Sequence, residues 1–221
     1  MSKSYSIYFA GDLFDHKHIT GNHLLAKEIE NASNGLYTCI LPQEWEGMES
    51  FTNAVQVRNK DIKSVIEADL VLFNFDGTDL DSGTVVEFMI AKMLDIPAVL
   101  LRTELRNGGY LFNDDWNLMV HGYPRCITVK QNAITMYNQM SLEEMHRTIA
   151  QSVVDAFKKV LQEPPLLTSM KDLEAAYRYV IKMCGGGLDK VVPESMLHEV
   201  IQRRFFIKER RNEPKNTQYH C

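Results

Sequence analysis

The segment that most restricts the fold of this chain is DLVLFNF at residues 69–75, which is followed by Asp76-Gly77. A strand with one face in water alternates apolar and polar residues, whereas a strand covered on both faces is apolar almost throughout. This run therefore predicts a central strand of a parallel sheet that is covered by helices on both faces. The chain has 221 residues, 45% of them hydrophobic, which is enough for one such core.

Strand-like and helix-like segments alternate over the first 130 residues. Short segments rich in apolar and β-branched residues predict four more strands, at 5–10, 36–41, 97–102 and 125–130. Helical spacing of apolar residues predicts helices at 20–31, 52–67 and 83–95. The alternation predicts an α/β fold, a doubly wound, flavodoxin-like five-stranded parallel sheet with helices on both faces. Ligands in such sheets bind beyond the carboxyl ends of the strands, so we expect the site in the loops that follow them.

The last third of the chain has helical patterns only. Helices are predicted at 141–162, 168–183 and 193–207, and a glycine triplet at 185–187 predicts a flexible connector between the last two. We therefore expect an α/β domain at residues 1–138 and a helical C-terminal extension at residues 139–221. The extension is expected to serve as an oligomerisation element or as a lid.

Charge and composition restrict the partners and the compartment. The net charge of −5 does not favour nucleic acid, whose binders usually carry a basic surface. No segment has the pattern of a signal peptide or the length of a membrane span, and four scattered cysteines predict reduced thiols. We therefore expect a cytoplasmic protein. His16, His18 and His23 match no common metal-ligand spacing, and no metal site is predicted.

Three acidic residues near the central strand are the candidates for chemistry. Glu87 is predicted in the first turn of the helix that follows this strand, with Asp81 just before the helix and Asp61 on the preceding helix. Each residue has a structural alternative. Glu87 and Thr84 match a capping box, Asp81 fits a turn or cap, and Asp61 fits a solvated helix face.

A cluster of carboxylates is what glycosyl transfer with retention requires. One carboxylate attacks the anomeric carbon and a second acid assists the departing group, through an oxocarbenium-like transition state. The attacking carboxylate must be ionised and held in one orientation. Tyr8, on the first predicted strand, is a candidate to hold it, although a half-buried strand tyrosine without such a role is an equal alternative.

The order and spacing of these residues resemble the nucleoside 2-deoxyribosyltransferase family. The resemblance extends over about residues 5–130. It is carried by the opening strand and turn, the Asp on the second helix, the central strand and its preceding Asp, the Asp-x-Gly-x-x-x-Glu segment and an Asn-Leu-Met loop. These correspond to residues 6–14, Asp61, residues 68–72, residues 81–87 and residues 117–119.

The resemblance implies a role for each candidate residue. Glu87 is implied to be the nucleophile, Tyr8 its orienting group, and Asp61 the residue that contacts or protonates the departing base. Asp81 is implied to bind near the base or the sugar hydroxyls, and Asn117 and Met119 to come from a neighbouring subunit. The remaining candidates for substrate binding are Gly83 within the motif, Glu44 or the adjacent Gln43 at a base-contacting position, and the possible base-stacking residues Phe9, Phe14, Trp45 and Trp116.

The activity implied by the resemblance is transfer of 2-deoxyribose between nucleobases through a covalent glutamyl-deoxyribosyl intermediate. The partners would be a 2′-deoxynucleoside, a free nucleobase and further copies of the chain, with no cofactor and slow hydrolysis as a side reaction. One alternative is a 2′-deoxynucleoside 5′-monophosphate N-glycoside hydrolase, although Asp12 and Asp15 in the first loop would repel phosphate. Another is a non-catalytic nucleotide-sensing module whose output is the C-terminal extension.

Overall fold

A computed structural model describes residues 4–45, 51–106 and 116–212, with side chains as far as Phe205. Its five strands are all parallel and lie in the order β2-β1-β3-β4-β5. They are β1 (Tyr5–Gly11), β2 (Tyr37–Ile40), β3 (Leu70–Asn74), β4 (Ala98–Arg102) and β5 (Cys126–Lys130). This order is that of flavodoxin-like doubly wound sheets, and the predicted fold class is confirmed.

Helices connect and cover the strands. They are α1 (His16–Ala32), α2 (Ala54–Glu67), α3 (Ser82–Met93), α4 (Ala133–Tyr137), α5 (Leu142–Val160), α6 (Met170–Cys184), α7 (Leu188–Val191) and α8 (Glu194–Asn212). A single 3-10 turn, Pro42–Glu44, follows β2. Within the described ranges, every helix is too short or too polar to cross a membrane.

The two faces of the sheet have separate cores. Helices α1 and α5 cover one face, and α2 and α3 cover the other, where α6, α7 and α8 add their apolar side chains. Along β3, Leu70 and Leu72 face the α1 side, while Val71 and Phe73 face the α2 side. All four side chains are fully buried. This double coverage explains why the segment 69–75 lacks the alternation of a half-exposed strand.

The sheet changes its direction of winding between β1 and β3, which are hydrogen-bonded neighbours. Such a switch point leaves a crevice beyond the carboxyl ends of the two strands. The strands end there at Gly11 and Asn74, which are paired in register. A side chain at Gly11 would place its Cβ 3.1 Å from Asn74 Cβ, so glycine permits this close pairing.

Helix α5 belongs physically to the core of the sheet, although it follows residue 138. It packs against α1, β4 and β5, and it buries Ile149, Val153 and Phe157 in the same cluster as Ile7 of β1. A capping box at Ser141 starts it, as its sequence predicts. The division of the chain after residue 138 stays a prediction. The packing of α5 completes the face of the sheet that α1 also covers.

The remaining helices are fixed to the opposite face by polar contacts as well as apolar ones. Arg203 of α8 pairs with Asp69 at 2.9 Å, and the neighbouring Arg204 donates to the carbonyl groups of Ala68 and Asp69. The residues Gly185–Gly187, here called the glycine segment, all have positive φ angles. Asn59 of α2 donates a hydrogen bond of 2.8 Å to the Gly186 carbonyl. The glycine segment is therefore a docking contact as well as a connector.

Candidate active site

Glu87 of α3 and Tyr8, in the middle of β1, are in direct contact. The Tyr8 hydroxyl donates a hydrogen bond of 2.7 Å to Oε1 of Glu87. Tyr8 is fully buried, whereas Glu87 is half-buried, so Glu87 lies at the boundary between the core and solvent. The structure thus brings together the predicted nucleophile and the predicted orienting group.

The position of Glu87 within its helix differs from the prediction. Asp81 is the N-cap of α3 and Ser82 its first residue, so Glu87 lies in the second turn and not in the first. The capping-box alternative is also wrong. The amide of Thr84 is bonded to Asp81, and the Glu87 side chain reaches across to β1. The helix N-terminus therefore acts on Glu87 less directly than the sequence suggested.

Asp81 caps α3 with one of its two carboxylate oxygens. Its Oδ2 accepts hydrogen bonds from the Thr84 amide at 2.7 Å and the Thr84 hydroxyl at 2.8 Å. Among the described residues, Oδ1 has no hydrogen-bond donor. The cap alternative is thus correct for Oδ2, while Oδ1 remains accessible to a ligand. A Cβ at the exposed Gly83 would lie 3.2 Å from Oδ2, so glycine leaves the cap undisturbed.

Asp61 lies on α2, which packs beside α3. The residue is half-buried and its Oδ1 is shielded from solvent, in contrast to the alternative of a solvated helix face. The next residue toward the N-terminus, Lys60, places its Nζ 5.5 Å from the centre of the Trp45 ring. Trp45 in turn stacks on Tyr8, with ring centroids 6.5 Å apart. A continuous set of contacts therefore links α2 to the Tyr8–Glu87 pair.

The loop between β3 and α3 is held by groups that follow β4. Asp76 accepts hydrogen bonds from the Thr103 amide at 2.6 Å and the Thr103 hydroxyl at 2.6 Å. The Gly77 amide donates to Glu104 at 2.8 Å, and the buried Arg102 donates to the Gly77 carbonyl at 3.1 Å. These bonds fix the start of the segment that carries Asp81 and Glu87.

The Glu104 carboxylate stays ionised in this network. Partial burial raises its pKa, but hydrogen bonds from Arg106 and the Gly77 amide outweigh that effect and hold the pKa below its usual value. Arg102 and Glu104 are not among the site residues predicted from the sequence. The sequence did contain a signal for Arg102, which ends an otherwise apolar strand. A guanidinium in such a position is buried and requires several hydrogen-bond acceptors nearby.

The predicted base-contacting residues differ in their exposure to solvent. Phe14 is 77% exposed and Glu44 is exposed in the 3-10 turn, whereas the Gln43 side chain donates to the Ile19 carbonyl at 2.8 Å. Phe9 and Trp116 are buried, and Trp116 packs against Phe75. These two aromatic residues are therefore core residues and not base-stacking groups.

Asn117 and Met119 form an exposed turn. The Asn117 Oδ1 accepts a hydrogen bond of 2.8 Å from the Met119 amide, and the Met119 side chain is 75% exposed. Residues 107–115 of the preceding segment lie outside the described part of the chain. Because Met119 projects into solvent, it is available to a second molecule.

Comparison with known proteins identifies the family. The nucleoside 2-deoxyribosyltransferase family model matches residues 7–124, which include most of β1, all of β2 to β4 and α1 to α3, and every candidate residue. No curated protein matches the chain. These matched residues are also the part of the sequence in which the resemblance was found.

Two solved structures are similar to this chain. A conserved protein from Enterococcus faecalis V583 has 23% identity and a TM-score of 0.51, with 67% of this chain and 99% of that chain covered. At this identity the similarity supports the fold alone. A 2-deoxyribosyltransferase from the psychrotolerant bacterium Bacillus psychrosaccharolyticus has 18% identity and a TM-score of 0.42, with 63% of this chain and 95% of that chain covered. A structural similarity of this extent does not contribute to the assignment of the family. Because the family model covers more than half of the 221 residues, the chain belongs to the nucleoside 2-deoxyribosyltransferase family.

Proposed function

We propose that this protein transfers 2-deoxyribose from one nucleobase to another, with Glu87 as the nucleophile. The observation that carries the proposal is the 2.7 Å hydrogen bond from the Tyr8 hydroxyl to the Glu87 carboxylate. A carboxylate that only stabilised α3 would bond to the start of its own helix. Glu87 instead reaches across to Tyr8 of β1, one of the two strands that form the switch point, and under this proposal an anomeric carbon approaches it from the crevice beyond them.

In the first half of the reaction, Glu87 attacks C1′ of a bound 2′-deoxynucleoside. The bond between C1′ and the base nitrogen breaks, and its electron pair goes to the departing base. A proton from Asp61 neutralises the base, while the sugar remains on Glu87 as a glycosyl ester. Tyr8 keeps the carboxylate in the attacking orientation through its hydrogen bond.

In the second half, another base occupies the vacated position and its nitrogen attacks C1′. The ester bond breaks, Glu87 regains its negative charge, and the acceptor base gives its proton to Asp61. Two half-reactions that share one intermediate give ping-pong kinetics. Water can replace the acceptor base, so slow hydrolysis is expected as a side reaction.

The first loop supports an uncharged 5′ end on the substrate in preference to a 5′-phosphate. The carboxylate of Asp15 accepts hydrogen bonds from the amides of Lys17 and His18, the groups that an anion would use at the start of α1. The His18 amide bond is the main reason that the pKa of Asp15 lies below its usual value. The capped N-terminus of α1 therefore repels phosphate, which argues against the monophosphate hydrolase.

An exposed apolar surface beside Glu87 supports assembly with a second copy. Val86, Met89 and Met93 lie on one side of α3 at helical spacing, and each is at least 36% exposed. Leu118 and Met119 in the exposed turn add to the apolar surface of the chain. A homo-oligomer would cover these side chains and supply Asn117 and Met119 to a neighbouring pocket.

The proposal is tested by intact mass and base exchange. Incubation with a 2′-deoxynucleoside alone should add the mass of deoxyribose, minus water, and peptide mapping should place it on Glu87. The Glu87→Gln variant should neither gain this mass nor exchange bases. Glu143→Gln is a matched control, because Glu143 is an exposed residue of α5, which packs on the face of the sheet opposite α3, and it should behave like the wild type. Base exchange at the wild-type rate by Glu87→Gln would refute the proposal.

A further inference from the structure

Helix α2 lies between the glycine segment and the candidate site. Asn59 is 5% exposed, and its amide donates to the Gly186 carbonyl at 2.8 Å. Asn59 and Asp61 are two positions apart, which places their side chains about 200° apart around the helix axis. The contact with the glycine segment and the candidate acid are therefore on nearly opposite sides of the same helix turn.

Arg58 completes the contact between α2 and the C-terminal extension. Its Nη2 donates to the Asn59 Oδ1 at 2.8 Å and to the Gly185 carbonyl at 3.3 Å. Both polar atoms of the Asn59 amide are thus occupied, one by Arg58 and the other by Gly186. A buried amide with both groups bonded has one well-defined orientation, because any rotation would leave polar groups unsatisfied.

The shape of the glycine segment fits α2 closely. Gly186 has a φ of +59°, and a Cβ at this position would overlap the Arg58 guanidinium and lie 3.0 Å from Val55 Cγ1. Gly185 has a similar φ of +55°, but a Cβ there would meet no atom within 4 Å. Only one of these two adjacent glycines is therefore needed for the close approach to α2.

We propose that Asn59 is a positioning residue through which the C-terminal extension sets the place of Asp61. The contact from Asn59 to the glycine segment holds α2 on its outer side. Between these two sides of the helix, Lys60 lies over Trp45, which stacks on Tyr8 beside Glu87. A shift of α2 would therefore change the distance between the acid and the departing base while Glu87 keeps its own hydrogen bond. This inference rests on the proposed function.

The dependence of the rate on the departing base distinguishes displacement of Asp61 from a general loss of folded enzyme. A base that is already acidic leaves without much help, whereas a less acidic base depends on proton transfer from Asp61. The measurement is the single-turnover rate of base release from 5-fluoro-2′-deoxyuridine and from 2′-deoxyuridine, expressed as a ratio. The ratio is independent of the fraction of folded enzyme. If the wild type exchanges purines only, the nucleosides of 8-azaadenine and adenine replace this pair.

Asn59→Ala and Gly186→Ala should each raise this ratio on the order of tenfold, because both displace the acid without removing it. Gly185→Ala also substitutes a glycine of positive φ, but its Cβ would meet no atom of α2, so it should leave the ratio at the wild-type value. An unchanged ratio in Asn59→Ala and Gly186→Ala, or an equal rise in Gly185→Ala, would overturn the inference. Failure of the proposed function is distinguishable, because the wild type itself would then release no base.

Discussion

The hydroxyl of Tyr8 and Oε1 of Glu87 are 2.7 Å apart, which joins the first strand of the sheet to the second turn of α3. Removal of this hydroxyl in Tyr8→Phe keeps the buried ring and takes this hydrogen bond from the carboxylate. A hydrogen bond to a charged group contributes about 1.5–3 kcal/mol, so base exchange should slow by about 10- to 100-fold. Steady-state exchange kinetics would measure the loss.

Tyr5→Phe is the matched control for this change. Tyr5 lies on the same strand, packs against Tyr37 with ring centroids 5.9 Å apart, and belongs to the core on the other face of the sheet. We expect this variant to exchange bases like the wild type. Equal rates for Tyr8→Phe and the wild type would mean that Glu87 does not need the tyrosine to orient it.

Asp81 has a capping role and a proposed substrate role, and two substitutions separate them. Asp81→Ala removes the cap of α3 and should lower the free energy of unfolding by about 1 kcal/mol. Asp81→Ser retains a side-chain acceptor for the Thr84 amide and should be close to wild-type stability. Both variants lack the accessible Oδ1 and should lose exchange activity. Full activity in Asp81→Ser, measured beside urea unfolding, would leave Asp81 with the capping role alone.

The sequence predicts the parts of this structure that depend on local pattern. The apolar run at residues 69–75 predicts a doubly covered strand because burial on both faces removes alternation, and β3 is buried on both faces. The helix predicted at 20–31 begins earlier, at His16, because Asp15 caps it through the Lys17 and His18 amides. An acceptor at a helix start is a local signal, and it was available in the sequence.

Contacts between distant segments could not be predicted in the same way. Tyr8 was a candidate to hold the carboxylate because a tyrosine hydroxyl can donate to it, and the resemblance implied the pairing with Glu87. No local pattern joins residues 79 positions apart. The stacking of Trp45 on Tyr8 and the placement of Lys60 over Trp45 depend on how three elements meet. The sequence of the glycine segment predicts only a flexible connector, because its docking partner, Asn59, lies 127 positions away in the chain.

The ion pair between Asp95 and Arg125 should be important for stability. The two groups are 2.7 Å apart with almost no solvent exposure, and Asp95 also accepts bonds from the amides of Leu166 and Leu167 in the segment between α5 and α6. Asp95→Ala would leave a buried guanidinium without this carboxylate. Loss of one partner of a buried pair costs about 3–5 kcal/mol, which urea unfolding would measure. A loss below about 1 kcal/mol would contradict the prediction.

Glu104 should make stability depend on pH in the acid range. Its pKa in the folded protein is below the usual 4.5, so the unfolded chain binds a proton more readily than the folded chain does. The contribution to stability is therefore fully present above pH 4.5 and is lost as the pH falls through the lower folded-state pKa. Glu104→Gln should flatten the pH dependence of urea unfolding below pH 4.5 relative to the wild type. If the free energy of unfolding varied with pH in the same way in both proteins, Glu104 would not be a source of the pH dependence.

If each pocket is shared between two subunits, Glu87 comes from one chain and the exposed Met119 comes from the other. The Met119 and Glu87 of a single chain then act in different pockets. A Glu87→Ala protein and an Asn117→Ala/Met119→Ala protein should each be impaired alone. After the two are mixed, dissociated and reassembled, each mixed dimer would contain one pocket with every defect and one pocket with none. Half of the dimers are then mixed, so about a quarter of all pockets should regain wild-type function. Recovery of activity on mixing, measured by base exchange, can arise only from pockets built by two chains. If the mixture performs no better than the average of its components, Asn117 and Met119 serve the pocket of their own chain.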